Sequence, residues 1–143
     1  MRFKTASHFA SGYPSPMKNP ATWLLRGYDL HVTFSSDQQP TARACMDAFL
    51  AFTDEHGIPT VRPILFESPV GPWTTPMWQV LLRREDPHQL ATDLGTSVAW
   101  LMANRGDLSV MIHPNSADGD FTDHARNAMW IGPPTPLKLS IFS

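Results

Sequence analysis

The sequence predicts an α+β domain in which strands and helices follow one another in the order β-α-β-β-α-β. Three observations support this order. Four short segments alternate apolar and polar residues with the period of two that half-buried strands show. Two longer segments repeat apolar residues at helical spacing, and proline- or glycine-rich turns separate the segments. The chain has 143 residues, a length that suits one domain with its own core.

The first strand and helix are predicted within residues 28–57. Residues 28–34 alternate cleanly, with Asp29, His31 and Thr33 on the polar side. A helix opens at Pro40, and its apolar positions share one face: Ala42, Cys45, Met46, Phe49 and Leu50. It is expected to end near Gly57, because glycine easily adopts the left-handed conformation that follows a helix.

The second half repeats the pattern in the order strand, strand, helix, strand. Residues 61–66 predict a strand, and Pro63 favours an edge position because proline cannot donate to a neighbouring strand. Residues 77–83 predict the next strand. Asp86 followed by Pro87 is typical of a helix start, and this helix ends at residues 104–106. Residues 108–113 predict the fourth strand, and a short helix over 122–130 precedes a proline-rich tail.

This order is the split βαβ or ferredoxin-like arrangement, an antiparallel sheet with both helices on one face. The first twenty residues, with Gly12 and three prolines, are expected to form an arm. Residues 21–143 are expected to form the single domain with a C-terminal extension.

Composition narrows the function classes. A net charge of −2 offers no broad basic face, so nucleic acid is not an expected partner. No uncharged apolar run approaches the ~20 residues that span a bilayer, and no signal peptide is evident. The one cysteine, Cys45, excludes an intramolecular disulfide and a cysteine-rich zinc site. A soluble, cytoplasmic protein is expected. Charged residues make up only 17%, which suggests that packed loops or a partner subunit cover some surface.

The predicted topology gathers three polar residues on the face without helices. The first and fourth strands pair antiparallel, so Asp29 and His31 meet His113 on that face. Two histidines and one carboxylate form the ligand set of many non-haem Fe(II) oxygenases. The simpler interpretation is that these are ordinary polar residues on the solvent side of a sheet.

Two further positions also have two interpretations. Trp73, in the proline-rich loop before the third strand, either walls a pocket or anchors its loop. A helix cap by Thr122 or Asp123, with His124 as an ordinary first-turn residue, is as good an interpretation as a functional one, in which Asp123 orients a neighbouring histidine or His124 carries a proton.

Four blocks of the sequence resemble the DOPA 4,5-dioxygenase family. They are residues 104–116, which contain Ile-His-Pro-Asn, residues 123–132, which contain Asp-His and Trp-Ile-Gly, the strand 28–34, and the loop 69–72. The resemblance spans roughly residues 26–137. It implies a ferredoxin-like fold, often dimeric, and extradiol ring opening of a catechol with a non-haem metal and O₂.

Two positions depart from the family pattern. The strand usually reads His-x-His in the family, and here Asp29 takes the first place. The Pro-Val-Gly-Pro block usually continues with His-Pro, and here it continues with Trp73 and Thr74. A carboxylate can still bind Fe(II), whereas an indole offers only an N–H donor.

The leading hypothesis is therefore a variant ring-cleaving dioxygenase. Fe(II) is expected on His31, His113 and Asp29, and proton transfer is expected from His124 with Asp123. Trp73 and Arg126 are expected to contact the substrate, Arg126 through a carboxylate or else as a plain surface charge. The expected partners are a catechol, O₂ and a second copy of the chain. The alternatives are a non-catalytic dimeric ligand-binding or interaction module, or a different oxygen-dependent reaction on another phenolic acid.

Overall fold

The computed structural model describes residues 17–143. Most of the predicted N-terminal arm, residues 1–16, lies outside the described residues. Within residues 17–143 the chain forms the following helices and strands: α1 Pro20–Trp23, β1 Leu24–Thr33, α2 Gln39–Glu55, β2 Thr60–Phe66, β3 Met77–Leu82, α3 Pro87–Asn104, β4 Ser109–Ser116, α4 Asp120–Ala125 and β5 Met129–Ile131. Short 3-10 turns cover Ser36–Gln38 and Leu139–Phe142.

The five strands form one antiparallel sheet in the order β2-β3-β1-β4-β5. The first four positions are those of the ferredoxin-like fold, with β1 and β3 in the centre, so the predicted fold class is confirmed. The predicted edge position of the strand that contains Pro63 is also confirmed, because β2 pairs only with β3 among the described strands.

The short helix predicted over 122–130 is only partly present. Its first part belongs to α4, which ends at Ala125, whereas Met129–Ile131 pairs with residues 110–112 of β4 as an extra edge strand. Local spacing could not show this, because the outcome depends on a strand edge supplied by a distant part of the chain.

One face of the sheet packs on α2 and α3 and forms the main core. The side chains that meet there are apolar and almost fully buried: Leu30, Val32, Trp78, Val80, Leu82, Phe49, Leu101, Val110 and Ile112. The alternation predicted from the sequence therefore assigns the helix-covered face correctly. Burial of these side chains is the principal stabilising contribution of this face.

Two backbone irregularities shape the strands near the site. Gly27 has φ +99°, and a Cβ there would collide with the carbonyl oxygen of Leu82, so β1 and β3 approach closely only because residue 27 is glycine. In β2 the pairing with β3 is irregular between Val61 and Ile64, and Arg62 in this bulge has φ +51°.

Two properties of the described chain limit its chemistry. Cys45 is buried, and burial raises the pKa of its thiol to about 11, so this thiol stays protonated and unreactive at neutral pH. Among residues 17–143, no helix combines the length and apolar composition that crossing a membrane requires.

Candidate metal centre

Two histidines face each other across β1 and β4 on the face of the sheet opposite α2 and α3. In the β1–β4 register Asp29 pairs with His113 and His31 with Met111, so His31 and His113 are diagonal neighbours on the same side. Their Nε2 atoms lie 3.1 Å apart, and both rings are buried. The sequence-based expectation that Asp29, His31 and His113 share one region is met.

A third histidine joins them from α4. The ring centroid of His124 lies 3.9 Å from that of His113 and 6.5 Å from that of His31. One ring nitrogen of each of His31, His113 and His124 lies within 4.8 Å of the others. The structure therefore places His124 inside the cluster of candidate ligands, a position that strand alternation alone could not reveal.

Backbone carbonyls fix the orientation of two of these rings. The Nδ1–H of His113 donates to the carbonyl of Pro114 at 2.9 Å, and the Nδ1–H of His124 donates to the carbonyl of Asp120 at 2.7 Å. Each bond places the ring proton on Nδ1 and leaves a lone pair on Nε2, as metal-binding histidines require, and the Nε2 of His113 is within hydrogen-bond distance of the Nε2 of His31. His31 Nδ1 is buried and has no hydrogen-bond partner among the described residues.

The environment keeps the buried imidazoles neutral. Burial, followed by the proximity of His113 and His124, holds the pKa of His31 well below its usual value. Burial and the proximity of His124 lower the pKa of His113, although the Pro114 carbonyl and the charges of Asp29 and Asp123 oppose this shift. Neutral imidazole is the form that binds a metal ion.

The spacing of two of the donors is compatible with one metal ion. Two nitrogens bound at about 2.1 Å to the same ion can be no more than about 4.2 Å apart, and the Nε2 atoms of His31 and His113 lie 3.1 Å apart. Imidazole suits zinc, copper, iron and nickel, so this donor set could hold any of these.

Asp29 lies beside the cluster. Its Oδ2 is 3.9 Å from His113 Nε2 and accepts a hydrogen bond from Asn115 Nδ2 at 2.8 Å. The Oδ1 of Asn115 in turn accepts from Arg26 at 3.3 Å. The sequence analysis missed Asn115, although it follows His113 by two residues and shares its face of β4.

Asp123 contacts a different set of groups from the one expected. Its buried carboxylate accepts hydrogen bonds from the backbone N–H and the hydroxyl of Ser116 and from Asn127. His124 instead donates to the carbonyl of Asp120. Asp123 therefore fixes the connection between β4 and α4, and through this connection the position of His124.

Trp73 both walls the site and anchors its loop. Its ring centroid lies 4.4 Å from that of His31, and it meets Trp130 edge to face at 6.5 Å. Its backbone forms an isolated antiparallel bridge with Leu137. Trp73 is only 3% exposed, because the segment after β5 folds back over this loop. Both interpretations of Trp73 therefore describe its position.

The same C-terminal segment closes the other side of the cluster. Lys138 N–H donates to the Pro72 carbonyl at 2.8 Å, and the Phe142 ring packs on His124 with centroids 4.8 Å apart. Sequence analysis did not find Phe142, because the proline-rich tail carries no periodic pattern that would indicate where it lies.

Together these groups line an open pocket of about 310 Å³. Its walls come from β1 to β4, α4, the loop 70–73 and Phe142. Arg126, the predicted partner of a substrate carboxylate, is exposed and does not line this pocket. Arg26 and Arg62 do line it.

Comparison with protein families identifies the chain. The model of the family described as "Dopa 4,5-dioxygenase family" matches residues 28–141, about four fifths of the sequence. The chain belongs to the Dopa 4,5-dioxygenase family. All three clustered histidines and Asp29 lie within the matched region, whereas Phe142 lies just beyond it.

Two individual proteins are also similar to this chain. An uncharacterized 21.2 kDa protein of Botryotinia fuckeliana is 31% identical over 125 residues, which cover 82% of this chain. The match spans 64% of that protein's length. A crystal structure from Nostoc punctiforme, described as that of a candidate dioxygenase, superposes with a TM-score of 0.68. The two chains are 24% identical, and the match covers 88% of this chain and 96% of the other. This likeness shows a shared fold.

Proposed function

We propose that the protein is a metal-dependent dioxygenase that opens the ring of a catechol by extradiol cleavage. The observation that carries the proposal is the convergence of three histidines, two of them buried, at a pocket large enough for an aromatic ring. Membership in the Dopa 4,5-dioxygenase family supports the reaction class.

His31, His113 and His124 are the proposed metal ligands, since their donor atoms lie together and two of them present Nε2 lone pairs. When bound, an ion such as Fe(II) supplies Lewis acidity and open positions at which the substrate oxygens and O₂ can meet. The set predicted from the sequence, in which Asp29 replaces His124, remains a prediction.

Asp29 is proposed to handle the protons of the substrate. Its carboxylate lines the pocket, lies 3.9 Å from His113 and is held in place by Asn115. A positioned carboxylate of this kind can accept a catechol hydroxyl proton, an effect typically worth about 10²–10⁴ in rate. The proton-carrying role predicted for His124 is compatible with the fold only if His124 is not a ligand.

The two aromatic walls are proposed to position the ring and exclude water. Trp73 lies over His31 and Phe142 over His124, on opposite sides of the cluster. A dry site strengthens the electrostatic interactions inside it. We also propose a homodimer and a cytoplasmic location. The low proportion of charged residues supports the first and the buried, unreactive Cys45 thiol is compatible with the second.

A non-catalytic ligand-binding module is the second candidate. One observation favours it: Trp73 packs directly on His31, at a position where the sequence pattern of the family usually has histidine. Such a module would bind aromatic ligands in the pocket without consuming oxygen.

Oxygen uptake distinguishes the two candidates. Protein loaded anaerobically with Fe(II) is mixed with 4-methylcatechol, and oxygen consumption and the absorbance of the ring-opened product are followed together. The dioxygenase proposal predicts one O₂ consumed per product, with loss of both signals in His31→Gln. Tight catechol binding with no oxygen uptake by metal-loaded protein would favour the non-catalytic module.

A further inference from the structure

The contact between two of the clustered histidines defines where their protons lie. The Nδ1–H of His113 donates to the carbonyl of Pro114, so the Nε2 of His113 carries a lone pair and can only accept. The Nε2 of His31 lies 3.1 Å from this atom, and burial keeps the pKa of His31 low and its ring neutral. In the metal-free protein His31 therefore carries its proton on Nε2 and donates it to His113, which leaves its Nδ1 unprotonated.

Binding of one metal ion by both histidines requires the other tautomer of His31. Its Nε2 is the nitrogen that faces His113, so His31 offers the lone pair of that atom to a shared ion. The proton of His31 then moves from Nε2 to Nδ1 by exchange with water, and the ring stays neutral. Nδ1 thereby becomes a buried donor, and it has no acceptor in the part of the chain that the structure describes. A buried N–H without an acceptor costs free energy, which weakens metal binding.

Gln79 of β3 is an acceptor within reach of His31. The two residues are directly opposite each other in the β1–β3 register, so their side chains lie on the same face with Cβ atoms about 5 Å apart. Gln79 lines the pocket, and its side-chain amide has no hydrogen-bond partner among residues 17–143. A rotation of this side chain is therefore opposed by no existing bond, and its carbonyl oxygen can accept from an N–H.

The other neighbours of His31 on this face are less suitable acceptors. Met111, directly opposite on β4, offers only a weakly accepting sulfur atom. Trp73, which packs on the His31 ring, offers only an indole N–H donor. Asp29 and Thr33 lie two residues away along β1, and both are hydrogen-bonded to groups of β4. The amide on β3 is thus the one neighbour of this set that is both directly opposite and unengaged.

We propose that Gln79 is the positioning residue of His31, which turns toward the ring and accepts the Nδ1–H when His31 switches to its metal-binding tautomer. Groups that pair with the second nitrogen of a ligand histidine fix the orientation of the ring and raise its basicity. The Pro114 carbonyl does this for His113 and the Asp120 carbonyl does it for His124, so Gln79 completes the set. The inference rests on the proposed function for the role of His31 as a metal ligand.

Long-range ¹H–¹⁵N correlation spectra of the histidine rings test the switch directly, because they distinguish the Nδ1–H and Nε2–H tautomers. In the metal-free protein we expect Nε2–H for His31 and Nδ1–H for His113. With Zn(II) bound, both residues are expected to carry Nδ1–H. An Nδ1–H on His31 before Zn(II) is added, or an Nε2–H on His31 after Zn(II) is bound, would overturn the inference.

Substitutions of Gln79 test its part in the switch. Gln79→Met keeps the length of the side chain without the amide and is expected to weaken Zn(II) binding about 10- to 100-fold. Gln79→Glu keeps an acceptor, so it is expected to bind Zn(II) at least as tightly as wild type and to show Nδ1–H on His31 already in the metal-free protein. Gln89→Met is the matched control, because Gln89 is exposed on α3, and it is expected to keep wild-type affinity.

The outcomes separate this inference from the proposed function. Equal Zn(II) affinities of Gln79→Met and Gln89→Met would overturn the inference, and so would equal losses in Gln79→Met and Gln79→Glu. Zn(II) binding that depends on Gln79, in a protein that consumes no oxygen with 4-methylcatechol, would support the inference and reject the dioxygenase. Oxygen uptake together with wild-type metal affinity in Gln79→Met would support the dioxygenase and reject the inference.

Discussion

The two faces of the sheet use the same strands and are closed in different ways. On the helix-covered face Leu30 and Val32 pack against α2 and α3 in a predominantly apolar core. On the other face His31 and His113 are almost as deeply buried, but their cover is a loop and the C-terminal segment. Stability therefore depends chiefly on the first face, whereas the second keeps polar groups dry at a cost in solvation.

The largest expected effect on stability is on the helix-covered face. Leu30→Ala removes a fully buried side chain and is expected to lower the free energy of unfolding by about 3 kcal/mol. Urea denaturation measures this loss. The affinity of the folded variant for Zn(II) is expected to stay within about threefold of wild type, and a large loss would show that the two faces are not separable.

A substitution on the other face should have the opposite result, a loss of metal affinity with the fold retained. His113→Ala is expected to weaken Zn(II) binding by more than about 100-fold, beyond the usual effect of groups that only orient a ligand. Titration against a chromophoric chelator gives this number. The metal-free variant should keep its cooperative urea transition. Wild-type affinity in this variant would remove His113 from the proposed ligand set.

Asp123 is expected to affect both stability and metal binding, because it fixes α4 to β4 and α4 carries His124. Asp123→Ala leaves the buried Ser116 N–H without its acceptor and is expected to cost about 2 kcal/mol. Asp123→Asn, which keeps an acceptor oxygen, is expected to lose less stability. A proton-transfer role for Asp123 would instead appear as lost turnover in both variants with stability unchanged in Asp123→Asn.

The C-terminal segment that covers the cluster should contribute less to metal affinity than the ligands themselves. Phe142→Ala removes the ring that packs on His124 and is expected to weaken Zn(II) binding about tenfold, the lower end of effects from groups that orient a ligand. Ile141→Ala is the matched control, because Ile141 lies in the same turn and is 55% exposed. Equal affinities of the two variants would mean that Phe142 only covers the surface.

The smallest expected effect is a pH dependence of the metal-free protein. The folded state lowers the pKa of His31 and His113, so the unfolded chain binds more protons below about pH 6.5. Stability should therefore be constant above about pH 7 and fall by about 1 kcal/mol between pH 6.5 and 5.5. Urea titrations at several pH values measure this slope, which should be shallower in His31→Gln. A flat profile would show that the buried imidazoles are not held neutral.

Sequence periodicity predicted the regular strands and helices of this molecule. Alternation in β1 and β4 placed Asp29, His31 and His113 on one face, and the order of the elements defined the sheet. Alternation could not place His124 among the candidate ligands, because its position depends on how α4 packs on β4; the family resemblance assigned it to the site only as a proton carrier. The positions of Phe142 and Arg62 could not be predicted either, because a tail that folds back and a bulge in a strand leave no periodic pattern in the sequence.

The central claim is that three histidines, rather than two histidines and Asp29, hold the metal. Co(II) binding to His124→Ala and Asp29→Ala, read from the visible spectrum and the affinity of each variant, tests it most directly. The account predicts about one Co(II) per chain in wild type and in Asp29→Ala, with a similar spectrum, and loss of tight binding in His124→Ala. Tight binding in His124→Ala together with its loss in Asp29→Ala would contradict the claim and restore the ligand set predicted from the sequence.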